Sequence, residues 1–512
     1  MVRDFLTPQK FLLIALILLV ILIVCARALT ANSGGFRAAP PEMSGLRATS
    51  TAYPGIESLP TARRPADPLQ TPTPDSPHPL PSLRSQMEQY VIRAGDTLNQ
   101  IAQRYGVAPE DIVRANNLPN ADVLEVGQQL IIPLPTPQNS GPDFKIIPDS
   151  ELVYGPLSAP FDVTEFVNGQ GGYLASYWGE VGDQTMSGAQ IVARVSQQYS
   201  VNPRLLLAVL EIQSGWVTQS NPPEVDFPIG VRTSGRKGLY RQLTWAADNL
   251  NRGYYLYRVL APATWTLADG SVAPIASTIN AGTAGVQHFF AQLYGRAEWE
   301  RMVTNGGLFA TFFALFGYPF DYTFEPLLPS DLAQPVFQLP FEPQQSWAYT
   351  GGPHGGWGSG SAWAALDFAP PSEALGCVPS DAWIVAVTDG LIVRSGEGAV
   401  VQDLDGDGYE QTGWTVLYLH VETRDRIATG TFLHAGEHIG HPSCEGGYST
   451  GTHLHLARRY NGEWIPADQS LPFVLDGWVS AGSGNEYDGY LQKEGRTVVA
   501  MEGRFPENAI GR

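Results

Sequence analysis

His453 and His455 alternate with Leu454 and Leu456 in the segment STGTHLHLA, Ser449 to Ala457. Alternation of polar and apolar side chains is the period of a strand with one face on a core, so the two imidazoles share the other face. The chain must therefore build a β layer that carries paired imidazoles above an apolar interior. The wider histidine distribution sharpens the constraint: of nine in the chain, seven lie between His354 and His455. Clustered His with Asp is the donor set of a metal site. Taken alone, an HxH fits two solvent-facing polar residues equally well.

With 512 residues the chain is too long for one core, and domains of roughly 100 to 200 residues predict about three. The net charge of −19 gives no electrostatic footprint for nucleic acid and reads as a solvated acidic surface. Near the N-terminus, Arg3 and Lys10 precede an uncharged apolar run from Phe11 to Ala26, closed by Arg27. Residues 11–26 read either as a retained membrane anchor or as a cleaved signal ending at Ala26-Arg27-Ala28. A lipoprotein reading through Cys25 is weakened by Val24. Each reading exports the rest of the chain. The two cysteines outside the run, Cys377 and Cys444, are then expected to form one disulfide.

From Gly34 to Met87 the sequence is rich in Pro, Ser, Thr and Ala without apolar periodicity, and residues 31–88 are expected to be a disordered, semi-stiff spacer. Residues 89–134 then predict a compact β-α-α-β unit. Tyr90-Val91-Ile92 forms one strand and Leu130-Ile131-Ile132 the other. A first helix is capped by Asp96 or Thr97, and a second opens at Pro109. This order, with YVIRAGDTLNQIAQRYGV and NNL…VGQQLIIP, closely resembles the LysM module. The resemblance implies binding of N-acetylglucosamine-containing glycan such as peptidoglycan.

Residues 150–330 predict a mostly helical domain, with helices around Ala189–Tyr199, from Pro203, and over Trp245–Tyr257 and Ala284–Leu293. LEIQSGW, GLYRQL and INAG resemble the lysozyme-type lytic transglycosylases. Where that family has Glu before Ser, this chain has Gln213 before Ser214, and an amide cannot protonate a glycosidic oxygen. Glu211 lies two positions away, on a different helix face. The expectation is an inactive, wall-facing helical domain, with Glu211 as a minority candidate for an acid.

HGGWGSGSAWAALDFAPP supplies His354 and Asp367, WTVLYLHVE supplies His420, and GEHIGHPSCEGGYSTGTHLHLA leads into the HxH. Across residues 335–470 this set resembles the lysostaphin-like, or LytM-type, zinc endopeptidases. The resemblance implies an antiparallel all-β fold and one Zn2+ per chain. It gives His354, Asp367 and His455 as zinc ligands, and His420 and His453 as catalytic histidines with undivided roles. Three protein ligands leave one position for water. One departure stands out. The family usually separates its first His and Asp by three residues, whereas thirteen positions separate His354 from Asp367 here. Such a Gly-rich insertion either loops out or removes His354 from the metal.

His434, His438 and His441 read as turn and strand residues, while His78 and His288 have no partners in sequence. DLDGDG, Asp403 to Gly408, reads as a hairpin turn rather than a calcium loop, because Trp414 stands where a ligating Glu is needed. The expectation is a multidomain, extracytoplasmic zinc endopeptidase, with 471–512 as a C-terminal extension. LysM tethers it to peptidoglycan, and it cuts stem or cross-link peptides. The alternatives are a non-enzymatic wall-binding regulator and a dual hydrolase using Glu211.

Overall fold

The computed structural model describes residues 63–64, 71–77, 80, 87–93, 95–119, 124–134 and 141–512. The run 11–26, with its anchor and signal readings, and His78 lie outside the described residues. Among the described residues no helix is long and apolar enough to cross a membrane.

Strands Glu88–Val91 and Gln129–Ile132 pair antiparallel around helices Leu98–Tyr105 and Pro109–Asn116. Thr97, rather than Asp96, starts the first helix: its hydroxyl accepts from Gln100 N at 3.3 Å and the Gln100 side chain accepts from Thr97 N at 3.1 Å. Tyr90, Leu98, Ile101, Ile112 and Leu130 close a small separate core.

Within residues 31–88, three described positions, Arg63, Asp75 and Leu80, make contacts with later parts of the chain. Arg63 donates its backbone N–H to Asp321 and stacks its guanidinium over Tyr318 at 4.6 Å. Asp75 pairs with Lys145 at 2.5 Å and donates its N–H to the Thr278 carbonyl, and Leu80 packs on the helical core. Such isolated charged and apolar residues make their contacts with no periodicity to announce them.

The helical domain packs helices Gly188–Tyr199, Pro203–Ser214, Leu239–Arg258, Ala281–Ala291 and Leu308–Phe316. Ser187 and Gln190 form a capping box on the first, and Asn202 caps the second with Pro203 in its first turn. Every residue of Ala281–Ala291 is buried, its few polar side chains Thr283, Gln287 and His288 being hydrogen-bonded.

In the C-terminal domain the main antiparallel sheet runs Phe432–Leu433, Gly390–Gly396, Ala399–Asp403, Trp414–Leu419, Leu454–Tyr460, Ala365–Ala369, Ser346–His354, Ala509–Gly511. Leu454 and Leu456 point with Leu366, Phe368, Val416 and Tyr418 into one core. Segment 471–512 packs on the same domain. It forms a four-stranded sheet on that same core, and its last strand pairs with the edge of the main sheet, Ala509 opposite Ala348. Its hairpins turn at Asp476-Gly477 and Glu494-Gly495, all four residues having φ between +48° and +82°. That is the conformation the primed hairpin turns require.

The opposite sheet face carries Asp367 and His455 and continues through Ala457, Leu417, Leu419, Ala399 and Val401. These five join the core of the helical domain. The turn at Asn461-Gly462 enters the same interface, where Ser200 Oγ donates to the Gly462 carbonyl and Asn461 Nδ2 to the Leu327 carbonyl.

Candidate metal centre

Pairing aligns His455 with Asp367 across neighbouring strands, and His354 ends the next strand over. His354 Nε2, His455 Nδ1 and Asp367 Oδ1 converge at 2.9, 3.2 and 3.4 Å from one another. The three residues are 2%, 6% and 7% exposed respectively for His354, His455 and Asp367. The opposite nitrogen of each ring meets a backbone carbonyl: His354 Nδ1 at Gly352 O, 2.7 Å, and His455 Nε2 at Gly356 O, 3.1 Å. A carbonyl only accepts, so those nitrogens carry the protons and the converging ones present lone pairs. Asp367 Oδ1 itself is buried with no hydrogen-bond partner. With both rings neutral, three inward lone pairs repel one another unless a cation or a shared proton lies between them, and two imidazoles with a carboxylate are a zinc donor set. The residues fit the metal that the family resemblance implies.

Charge balance reflects the same convergence. Burial acts to raise Asp367, but His354 and His453 beside it hold its carboxyl well below the usual carboxylate range. Burial acts to lower His354, yet Asp367 raises it, while burial lowers His455.

His420 and His453 stand beside this centre, ring centroids 4.5 Å apart, with His453 Nε2 at 3.7 Å from Asp367 Oδ1. Each presents Nδ1 to a carbonyl, Glu445 O at 2.8 Å and Gly451 O at 2.7 Å, which leaves Nε2 free to accept a proton. Burial, with His453 and His455 alongside, pushes His420 down to about 3, so it is neutral across the physiological range. Cys377 and Cys444 are bonded, Cα atoms 5.7 Å apart, and Ser449 Oγ lies 3.4 Å from Cys444 Sγ and 3.3 Å from His453 Nδ1.

The thirteen-position gap is a loop that leaves His354 and Asp367 together. Tyr487 joins them unannounced: its ring stacks on His354 at 4.2 Å, and burial with Asp367 and Glu486 nearby pushes its phenol up to about 12. The Asp-Gly hairpin signal at Asp476-Gly477 was the available sign that strands return over the site.

Other candidates are placed elsewhere. Glu211 accepts from Val217 N, Thr218 N and Thr218 Oγ1 at 2.9, 3.1 and 2.5 Å, so its carboxylate closes the turn after its own helix. Gln213 accepts from Tyr294. Asp403, Asp405 and Asp407 approach within 4.8 Å, in a turn whose own N–H groups they accept, including Gly408 N to Asp403 at 2.9 Å. His434 faces Asp389, His438 faces Glu342 and His441 meets the Ala382 carbonyl. His288 is buried against the Asn249 carbonyl, and burial pushes it down to about 4.

Comparison with known proteins gives two family matches, the LysM domain over residues 90–133 and "LasA, N-terminal domain" over residues 145–328. The second covers the region whose fragments resemble transglycosylases. Protease LasA of Pseudomonas aeruginosa is 27% identical over 292 residues, which is 53% of this chain and 65% of that protein. The chain thus spans just under two thirds of that relative. Beta-lytic metalloendopeptidase of Lysobacter enzymogenes is 25% identical over 168 residues, 31% of this chain and 90% of that protein. Among solved structures, the M23 metalloprotease pseudoalterin from the deep sea is 23% identical, covering 33% of this chain and 96% of that one at a TM-score of 0.27.

Proposed function

Taking the chain as a LysM-bearing relative of the LasA-type M23 metallopeptidases, we propose that its C-terminal domain is an extracytoplasmic zinc endopeptidase. Its substrates are the stem or cross-link peptides of peptidoglycan. The observation that carries this reading is Asp367 Oδ1, buried and unpartnered between two imidazole nitrogens that present lone pairs. His354, Asp367 and His455 hold the metal. When bound, zinc supplies the Lewis acidity that makes water nucleophilic near neutral pH and polarises a carbonyl.

The protein's own groups do the rest. His420 and His453, each with Nδ1 donating to a backbone carbonyl, keep Nε2 free beside the centre. A neutral imidazole of this pair takes the proton of the attacking water at Nε2, a protonated one donates its Nε2–H to the developing oxyanion, and the proton taken from water then passes to the leaving amine. The Cys377–Cys444 bridge fixes the segment whose Ser449 touches His453. The LysM domain holds the enzyme on glycan and so raises the local concentration of peptide substrate. The test is digestion of purified peptidoglycans of known peptide structure by zinc-loaded protein, read by mass spectrometry. New amine and carboxyl termini are expected. Intact peptides, or reducing sugar ends alone, would refute it.

A further inference from the structure

The Gly-rich insertion after His354 lies against the helical domain, and the contact continues to a metal ligand. Asp248, on helix Leu239–Arg258, accepts from Gly360 N at 2.7 Å and from Ser359 Oγ at 2.8 Å. Arg252, one turn on, donates to the Ser359 carbonyl at 2.9 Å and to Ser359 Oγ at 3.1 Å. Within the loop, Trp357 N donates to Ser361 Oγ and Gly356 N to the Ala362 carbonyl, which ties the two halves of the loop to each other. The Gly356 carbonyl is the group that accepts from His455 Nε2. Hydrogen bonds and the backbone of one short loop therefore connect a helix of one domain to the carbonyl that faces Nε2 of a ligand in the other.

The glycines are explained by the same contact. A Cβ on Gly360 would lie 1.8 Å from the Asp248 carbonyl oxygen, and one on Gly358, at φ +69°, would lie 2.6 Å from Asp248 Oδ1. No other residue lets this backbone lie flat on the helix. The loop's other end is held within its own domain, where Gly355 N donates to Glu486.

We propose that Asp248 and Arg252 of the helical domain are positioning residues for the metal centre, holding the Gly355–Ser361 loop so that its Gly356 carbonyl orients His455. The inference rests on the zinc-peptidase reading above.

The test measures zinc affinity, by chelator competition at fixed pH, on the full chain and its Asp248→Ala, Arg252→Ala and Gly360→Ala variants. Thermal unfolding of each variant establishes that it is folded. Arg194→Ala is the control, since Arg194 pairs with Glu397 in the same interface away from the loop. Removal of groups that orient a ligand typically weakens metal binding 10- to 100-fold, and the Asp248→Ala loss should be about tenfold. Gly360→Ala should lose at least as much, while Arg194→Ala keeps wild-type affinity. A folded Asp248→Ala that binds zinc as tightly as wild type overturns the proposal. So does an Arg194→Ala loss as large as that of Asp248→Ala, which would mark a general loosening of the interface. Wild-type protein that takes up no zinc refutes the peptidase reading instead, and so the two failures are distinct.

Discussion

Two carboxylates, Glu211 in the helical domain and Asp367 in the sheet domain, each sit beside residues that resemble a hydrolase signature. Glu211 spends its oxygens on three hydrogen bonds to the turn that follows its helix. Asp367 keeps a buried Oδ1 that no donor satisfies. An unsatisfied buried acceptor costs about 1–3 kcal/mol, more when charged, so it is offset where a bound cation, a water or a proton completes it. The difference between the two domains is thus read from what each carboxylate lacks rather than from the motif around it.

The strongest way to break this contrast is to remove a ligand. His455→Ala or Asp367→Ala should empty the site of zinc, measured by elemental analysis after dialysis, and abolish peptide cleavage. Full zinc retention by either variant would end the ligand assignment. His453→Ala and His420→Ala should behave differently, keeping zinc but losing turnover by at least a hundredfold, because proton transfer by a placed imidazole is worth about 10²–10⁴. A His453→Ala protein without zinc would make His453 a ligand.

How far the site was legible follows from the range of the contacts involved. His453 and His455 could be paired on one face from alternation alone, and the family resemblance supplied His354, Asp367 and His420. The hairpin turn at Asp403 was legible because its side chains bond their own backbone. The purpose of the His354–Asp367 insertion was not, because its partner Asp248 lies 112 positions from Gly360 and belongs to another domain. Tyr487 was hidden for a similar reason: it reaches His354 only because a later sheet folds back over the strand. Short polar anchors such as Arg63 and Asp75 carry no periodic signal, so a spacer composition concealed their contacts.

Glu463 sharpens the comparison, since its Oε2 is also buried and unpartnered. It faces Arg258 of the helical domain at 2.9 Å, and burial pushes it up to about 7. Unlike Asp367, it can satisfy its oxygen by taking a proton. A carboxyl raised in the folded state binds more protons there than in the unfolded chain. Its contribution to stability is therefore present below about pH 4.5 and is lost as pH rises through about 7. A shift of this size corresponds to at most about 3 kcal/mol. Chemical denaturation at pH 5 and pH 8 should show wild type losing more stability than Glu463→Gln across that interval. Equal losses would mean that Glu463 does not titrate there.

The smallest expected effect tests the other side of the contrast. If Glu211 only closes a turn, then Glu211→Gln, which keeps one carbonyl acceptor and loses the charge, should cleave peptide at the wild-type rate and bind the same zinc. Its cost should appear in stability alone, about 1 kcal/mol for weakened hydrogen bonds to Val217 and Thr218. For a domain of this size that is roughly 2–4 °C in the unfolding midpoint. The informative substrate is intact peptidoglycan assayed for both peptide and glycan products. Wild-type release of sugar ends that disappears in Glu211→Gln would show that three hydrogen bonds did not exhaust the carboxylate, and the helical domain would then hold a second activity. Unchanged products with a lowered midpoint would leave Glu211 as the structural residue its bonds describe.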